Sequence, residues 1–135
     1  MSKFSTALAV PSLILSTAMV TLPTPAHAAS GFQNTCSNIS FAYDSGYATL
    51  KATCLRADGT AEQSSLALVG ISNQNGMLTV GQGVSTFQKS CGNIQINATL
   101  SSVTLTAICR NSSGYSVNAS LPLNNIGNNN GMLTY

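Results

Sequence analysis

Asn75-Gly76-Met77-Leu78-Thr79 recurs, residue for residue, as Asn130-Gly131-Met132-Leu133-Thr134. Asn-Gly between apolar residues is a strong hairpin signal, because both central positions of a type I′ turn need positive φ. Ile71 and Leu78 flank the first pair, Ile126 and Leu133 the second. The same step of 55 residues that separates Gly76 from Gly131 also carries Phe32-Gln33 to Phe87-Gln88, Cys36 to Cys91 and Cys54 to Cys109. No gap is needed, and about twenty of roughly fifty paired positions are identical. The chain therefore holds two copies of one supersecondary unit, about 30–82 and about 85–135. What one copy binds, the other is equipped to bind.

Upstream of each hairpin the pattern is that of strands. Tyr47, Thr49, Lys51 and Thr53 alternate with Ala48, Leu50, Ala52 and Cys54, and Val103, Leu105 and Ala107 alternate with Thr104, Thr106 and Ile108. A period of two with β-branched residues predicts half-buried strands. Asp58-Gly59 and Ser113-Gly114 mark turns. Leu66-Ala67-Leu68 and Leu121-Pro122-Leu123 read as a further strand or a short 3-10 turn, and Pro122 confines that element to a sheet edge. No helical period runs far enough for a sizeable helix. The expected fold is all-β, each copy a three-stranded sheet followed by a hairpin. Val80-Gly81-Gln82-Gly83-Val84-Ser85 reads as a glycine-containing hinge between copies, which opens a route to domain swapping. Halves of about fifty residues bury little alone and must share a core, to which the repeated Phe32 and Phe87 are assigned.

Residues 1–28 are read as outside the fold. Lys3 is the only charge there, an apolar stretch runs from about Ala7 to Leu22, and Ala26-His27-Ala28 forms a small-residue cleavage site. This is the pattern of a secretory signal peptide, which implies a secreted domain of residues 29–135. Cleavage would remove the single histidine. Lys51, Arg56, Lys89 and Arg110 then face Asp44, Asp58 and Glu62, a net charge near +1. No basic patch could neutralise several phosphates, so nucleic acid is not an expected partner, and no later stretch is apolar enough to insert in a membrane. With 6% charged residues in the chain, the surface must be built of Ser, Thr, Asn, Gln and Gly.

Four cysteines behind a signal peptide imply two disulfides. Of three pairings the repeat favours Cys36–Cys54 and Cys91–Cys109, which close equivalent loops. Pairing between copies would need a special geometry. A zinc site stays open on count alone, although the spacings are wide and no histidine remains to help. Catalysis is poorly supported. A glycosidase wants two carboxylates at a set separation, and Asp44, Asp58 and Glu62 have no counterparts in the second copy. The expectation is a protein that is not an enzyme and needs no cofactor. Without Trp there is no evident aromatic platform, and Tyr43 and Tyr115 read more simply as partly buried strand residues.

Phe32-x-x-Thr35-Cys36, Cys54-Leu55-Arg56, Ser64-Ser65-Leu66-x-Leu68 and Ile71-x-Asn73-x-Asn75-Gly76-x-Leu78, repeated through Ile126-x-Asn128-x-Asn130-Gly131-x-Leu133, resemble the cyanovirin-N family of lectins. The likeness spans the whole of residues 29–135, with all four cysteines in family positions. It implies pseudo-two-fold symmetry with hairpins exchanged between lobes, one carbohydrate site at each far end, and high-mannose, α1,2-linked oligosaccharides or glycoproteins as ligands of a monomer or swapped dimer. A structural or adhesion protein that keeps the fold without binding sugar is the competing reading.

Carried over by position, one site would use Asn34 and Thr35, then Leu55, Arg56, Ala57 and Asp58, with Gly127, Asn128, Asn129 and Asn130 from the other copy's hairpin. The second would use Ser85, Thr86, Lys89 and Ser90, then Arg110, Asn111, Ser112 and Ser113, with Ser72, Asn73, Gln74 and Asn75 opposite. The family places acidic side chains where this chain has Leu55, Ser72, Asn75, Lys89 and Asn130. Asn128 and Asn73 are expected to contribute to binding at the two ends. Arg56 and Arg110 are read as paired basic positions, fit to clamp a ligand or to solvate an edge strand. Asn38, Asn97, Asn111 and Asn118 each begin an N-glycosylation sequon, and a glycan on Asn111 would block the second site.

Overall fold

The computed structural model describes residues 28–135. The expected signal segment lies outside the described residues, save for Ala28. The fold is all-β, as the alternation predicts. In the first copy a one-turn 3-10 helix, Phe32–Asn34, leads into β1 (Cys36–Asp44), β2 (Tyr47–Leu55) and β3 (Ala61–Ala67), an antiparallel sheet in that order. The hairpin β4 (Val69–Gln74) and β5 (Met77–Val84) follows. The second copy repeats the plan: a 3-10 turn, Phe87–Lys89, then β6 (Cys91–Ala98), β7 (Val103–Arg110) and β8 (Ser116–Pro122) as a sheet, then the hairpin β9 (Gly127–Asn129) and β10 (Met132–Thr134). Pro122 ends β8 on the sheet edge, where its missing N–H costs no ladder bond. Among the described residues no helix is long and apolar enough to cross a membrane.

Register explains the alternation. Leu50 pairs with Leu66 and Leu105 with Leu121, on the side where Phe32, Phe87, Leu50, Leu105, Val103 and Ile126 are fully buried. The two phenylalanines are core residues, and Phe41 of β1 packs edge-on against Phe87 of the other copy, ring centroids 6.0 Å apart. Asn75 and Gly76 have φ of 52° and 90°, and Asn130 and Gly131 49° and 92°, as the type I′ reading requires. Each hairpin leaves its own sheet. β10 packs on β3, where Leu133 N–H donates to Ser64 Oγ at 2.9 Å, and β5 packs on β8. The lobes are thus exchanged between copies.

Cys36 stands directly across the ladder from Cys54, and Cys91 from Cys109. Both pairs are disulfides, so no cysteine is left for a zinc ion. The hinge reading of 80–85 does not hold as written. Residues up to Val84 continue β5, with Val84 paired to Val69 across an irregularity at Gly70. There the backbones approach so closely that a Cβ on Gly70 would meet the Gly81 carbonyl oxygen at 2.1 Å. Ser85 is buried, its Oγ donating to Leu68 O at 2.7 Å and accepting from Ile71 N–H at 3.0 Å. Ser30 makes the same bracket with Leu123 O and Ile126 N–H at 2.6 and 3.1 Å. These serines seal the corners where each hairpin departs, a role no local sequence signal marked.

Candidate functional site

Each end of the molecule is assembled by one asparagine of a hairpin reaching the other copy's sheet. At the first end the Asn128 amide donates to Leu55 O and to Thr35 Oγ1, both at 2.9 Å, while its Oδ1 accepts from Gly131 N–H at 2.7 Å. At the second, the Asn73 amide donates to Arg110 O at 2.9 Å and Ser90 Oγ at 2.8 Å, and its Oδ1 accepts from Gly76 N–H at 2.7 Å. Asn130 Oδ1 accepts from Ala57 N–H at 2.9 Å. Asn75 Oδ1 accepts both Ser112 N–H and its hydroxyl, at 2.8 and 2.7 Å. The asparagines carried over by resemblance are therefore brought together with Thr35, Leu55 and Ala57 at one end and with Ser90, Arg110 and Ser112 at the other. Their immediate work is to hold the turns together.

The first end keeps acceptors. Asp58 Oδ1 accepts from Thr60 N–H and hydroxyl at 2.9 and 2.6 Å, which leaves its other oxygen open. The Thr60 hydroxyl, then the Thr60 N–H, hold the Asp58 carboxyl below its usual 3.8, with burial opposing them and Arg56 a smaller contribution in their direction. Asn34 and Asn129 are exposed. Arg56 is engaged in structure. It pairs with Glu62 at 2.6 Å and donates to Thr60 Oγ1 at 3.2 Å, its stem lying where a Cβ on Gly131 would be 2.9 Å away. It braces the hairpin turn.

At the second end Asn73, Asn75, Ser90, Arg110, Asn111 and Ser112 line one open cleft of about 360 Å³. Lys89 lines an adjoining cleft of about 560 Å³ that shares Ser90 and Arg110 and adds Asn93, Ile108 and Ser116. Sequence reasoning missed these last three. The register Arg110↔Ser116 and Ile108↔Asn118 puts Ile108 and Ser116 on the outward face of the sheet, which period-two alternation could have shown, whereas Asn93 sits in an irregularity of β6 with φ of 50° that alternation does not reveal. The reading of Arg56 and Arg110 as equivalents is corrected by the same register. Arg110 opposes Ser116 as Leu55 opposes Ala61, so the counterpart of Arg110 is Leu55 and that of Arg56 is Asn111. Asn111 stabilises its turn by accepting Ser113 and Tyr115 N–H, both at 3.0 Å. Tyr115 is 72% and Tyr43 59% exposed, against the expectation of partly buried rings. The sequon residues Asn38, Asn97 and Asn118 are exposed, and Asn111 is half-buried.

The CVNH domain family matches residues 32–134. The fold is similar to that of a CVNH protein of T. borchii, 30% identical over 78% of this chain and 98% of that one, TM-score 0.61. It is similar to microvirin, described in complex with mannobiose, at 29% identity over 78% and 97% of the two chains and a TM-score of 0.59. A CVNH protein of Gibberella zeae matches at 28% identity over 78% and 96%, TM-score 0.57. No curated protein sequence matches the chain.

Proposed function

The chain belongs to the CVNH family, and we propose that it is a secreted, non-catalytic lectin that binds mannose-type oligosaccharides at one or both ends. The observation that carries this reading is the cleft of the second end. Hydroxyl and amide groups of Asn75, Ser90, Asn111 and Ser112 converge there on a frame fixed by bonds between the two copies. Neutral sugars are recognised through short polar side chains of this kind, because each can match a hydroxyl with a donor or an acceptor. The likeness to microvirin, whose partner is mannobiose, supports the sugar class. The leader of residues 1–28 supports secretion.

Retention of residues 29–135 on immobilised mannan, with elution by free oligomannose, tests the reading. Titration with mannobiose followed by NMR should shift amides of residues 73–75 and 110–112, or of 34–35 and 128–130. The competing structural reading draws on one observation, that Asn73 and Asn128 already have structural partners. Complete absence of retention and of shifts would favour it.

A further inference from the structure

The two ends do not carry the same charge. The first gathers Arg56, Asp58 and Glu62, with Arg56 tied to Glu62. At the second, the positions equivalent to Asp58 and Glu62 are Ser113 and Val117, those equivalent to Asn34 and Leu55 are Lys89 and Arg110, and that equivalent to Arg56 is Asn111. Both cations are exposed and line one cleft of about 560 Å³ with Ser90, Asn93 and Ser116. Among the described residues neither has a carboxylate partner, since the ion pair present is Arg56–Glu62.

On Asn75 and Asn111 the hydrogen-bonding capacity left over leans the same way. Asn75 Oδ1 already accepts two bonds from Ser112, and Asn111 Oδ1 two from Ser113 and Tyr115. Three of those four bonds come from backbone N–H groups, which fixes which amide atom is oxygen. Each side chain therefore keeps an NH₂ that these bonds leave unused. Ser90 Oγ accepts from Asn73 and keeps its proton to donate. Arg110 and Ser90 line both this cleft and the one that holds Lys89, so these NH₂ groups adjoin two cations, while Asn93 and Ser116 supply amide and hydroxyl groups that can also accept. A carboxylate, sulfate or phosphate ester only accepts, and Arg matches its paired oxygens in the plane.

We infer that the second end binds an oligosaccharide carrying an anionic substituent, with Arg110 and Lys89 contacting the charged group and Asn75, Ser90 and Asn111 donating to the sugar beside it. This rests on the sugar-binding reading above and names the ligand class for one of its two ends. The first end, where Arg56 is already paired with Glu62 and Asp58 keeps an open oxygen, gains nothing from a charged substituent.

The test compares mannobiose with mannobiose 6-phosphate, a 6-O-sulfated mannobiose and a glucuronate-containing disaccharide by calorimetry on residues 29–135. At low salt at least one charged sugar should bind about tenfold more tightly than mannobiose, the worth of one charge-assisted hydrogen bond. The three arms tell which anion is preferred. Raising the salt to about 0.5 M should erase most of that preference, because exposed charges are screened over a few ångströms. In K89Q/R110Q, with folding checked by amide dispersion, the ratio of charged to neutral affinity should fall to about one. Shifts on adding the charged sugar should centre on Lys89, Ser90, Arg110 and Asn111. Binding of mannobiose with no gain for any charged sugar overturns this inference and leaves the lectin reading standing. So does a preference that survives in K89Q/R110Q, or shifts centred on Asp58 and Asn129. Failure of every sugar to bind would remove the lectin reading, and this inference with it.

Discussion

Asn73 makes three hydrogen bonds with one side chain, two of them to the opposite copy. Asn73→Ala should strand the Arg110 carbonyl and the Gly76 N–H and lower stability by about 1–3 kcal/mol, read by urea denaturation. Unchanged stability would mean that water replaces the amide at no cost. Asp58 offers a pH test at the same scale. Its folded pKa lies below the ordinary carboxylate value, chiefly through the Thr60 hydroxyl. The turn contact is thus present above the unfolded pKa and is lost as pH falls through the folded one. Thr60→Val should move the Asp58 midpoint back up toward 3.8, as measured by carboxyl carbon NMR.

At the scale of elements, the turns were readable and the departures of the hairpins were not. Asn-Gly announces a type I′ turn because its φ requirement is local. Nothing local says that 80–84 would extend β5, since its glycines resemble those of a linker. The deciding contact is the approach of Gly70 to Gly81. Gly70→Ala and Gly83→Ala offer a controlled comparison, because both positions have positive φ, 74° and 84°. An added Cβ at Gly83 meets nothing within 4 Å, whereas at Gly70 it meets the Gly81 carbonyl. Gly83→Ala should cost about 1–2 kcal/mol, the left-handed penalty alone. Gly70→Ala should cost clearly more, with loss of protection at the Val69–Val84 pairing in hydrogen exchange.

For the whole molecule, two three-stranded sheets and two hairpins share one core, and two disulfides brace the sheets. Replacing Cys91 and Cys109 together by Ala should remove about 3 kcal/mol in the chain-entropy picture. For a domain of this size, that corresponds to a fall in melting temperature of roughly 12–24 °C by calorimetry. If both ends bind sugar, one molecule bridges two glycans, and a multivalent glycoprotein should be cross-linked at concentrations well below the single-site Kd. Loss of cross-linking on disabling one end, with single-site binding intact at the other, is the expected readout by light scattering.

The sequence by itself determined the duplication, the all-β class, the two Asn-Gly turns, the buried phenylalanines and the cysteine pairing. Each rests on a short-range rule or on a comparison of the chain with itself. Tertiary structure decided how the candidate residues are engaged. Asn73 and Asn128 became cross-copy latches, Ser30 and Ser85 buried corner brackets, and Arg56 a brace under a turn, because exchange of the hairpins sets each beside residues distant in the chain. It also decided that Arg110, which the 55-residue step already equates with Leu55 of the first copy, shares a cleft with Lys89 and, among the described residues, has no carboxylate partner. Charge at a site depends on what faces a residue across space, and spacing along the chain does not carry that information.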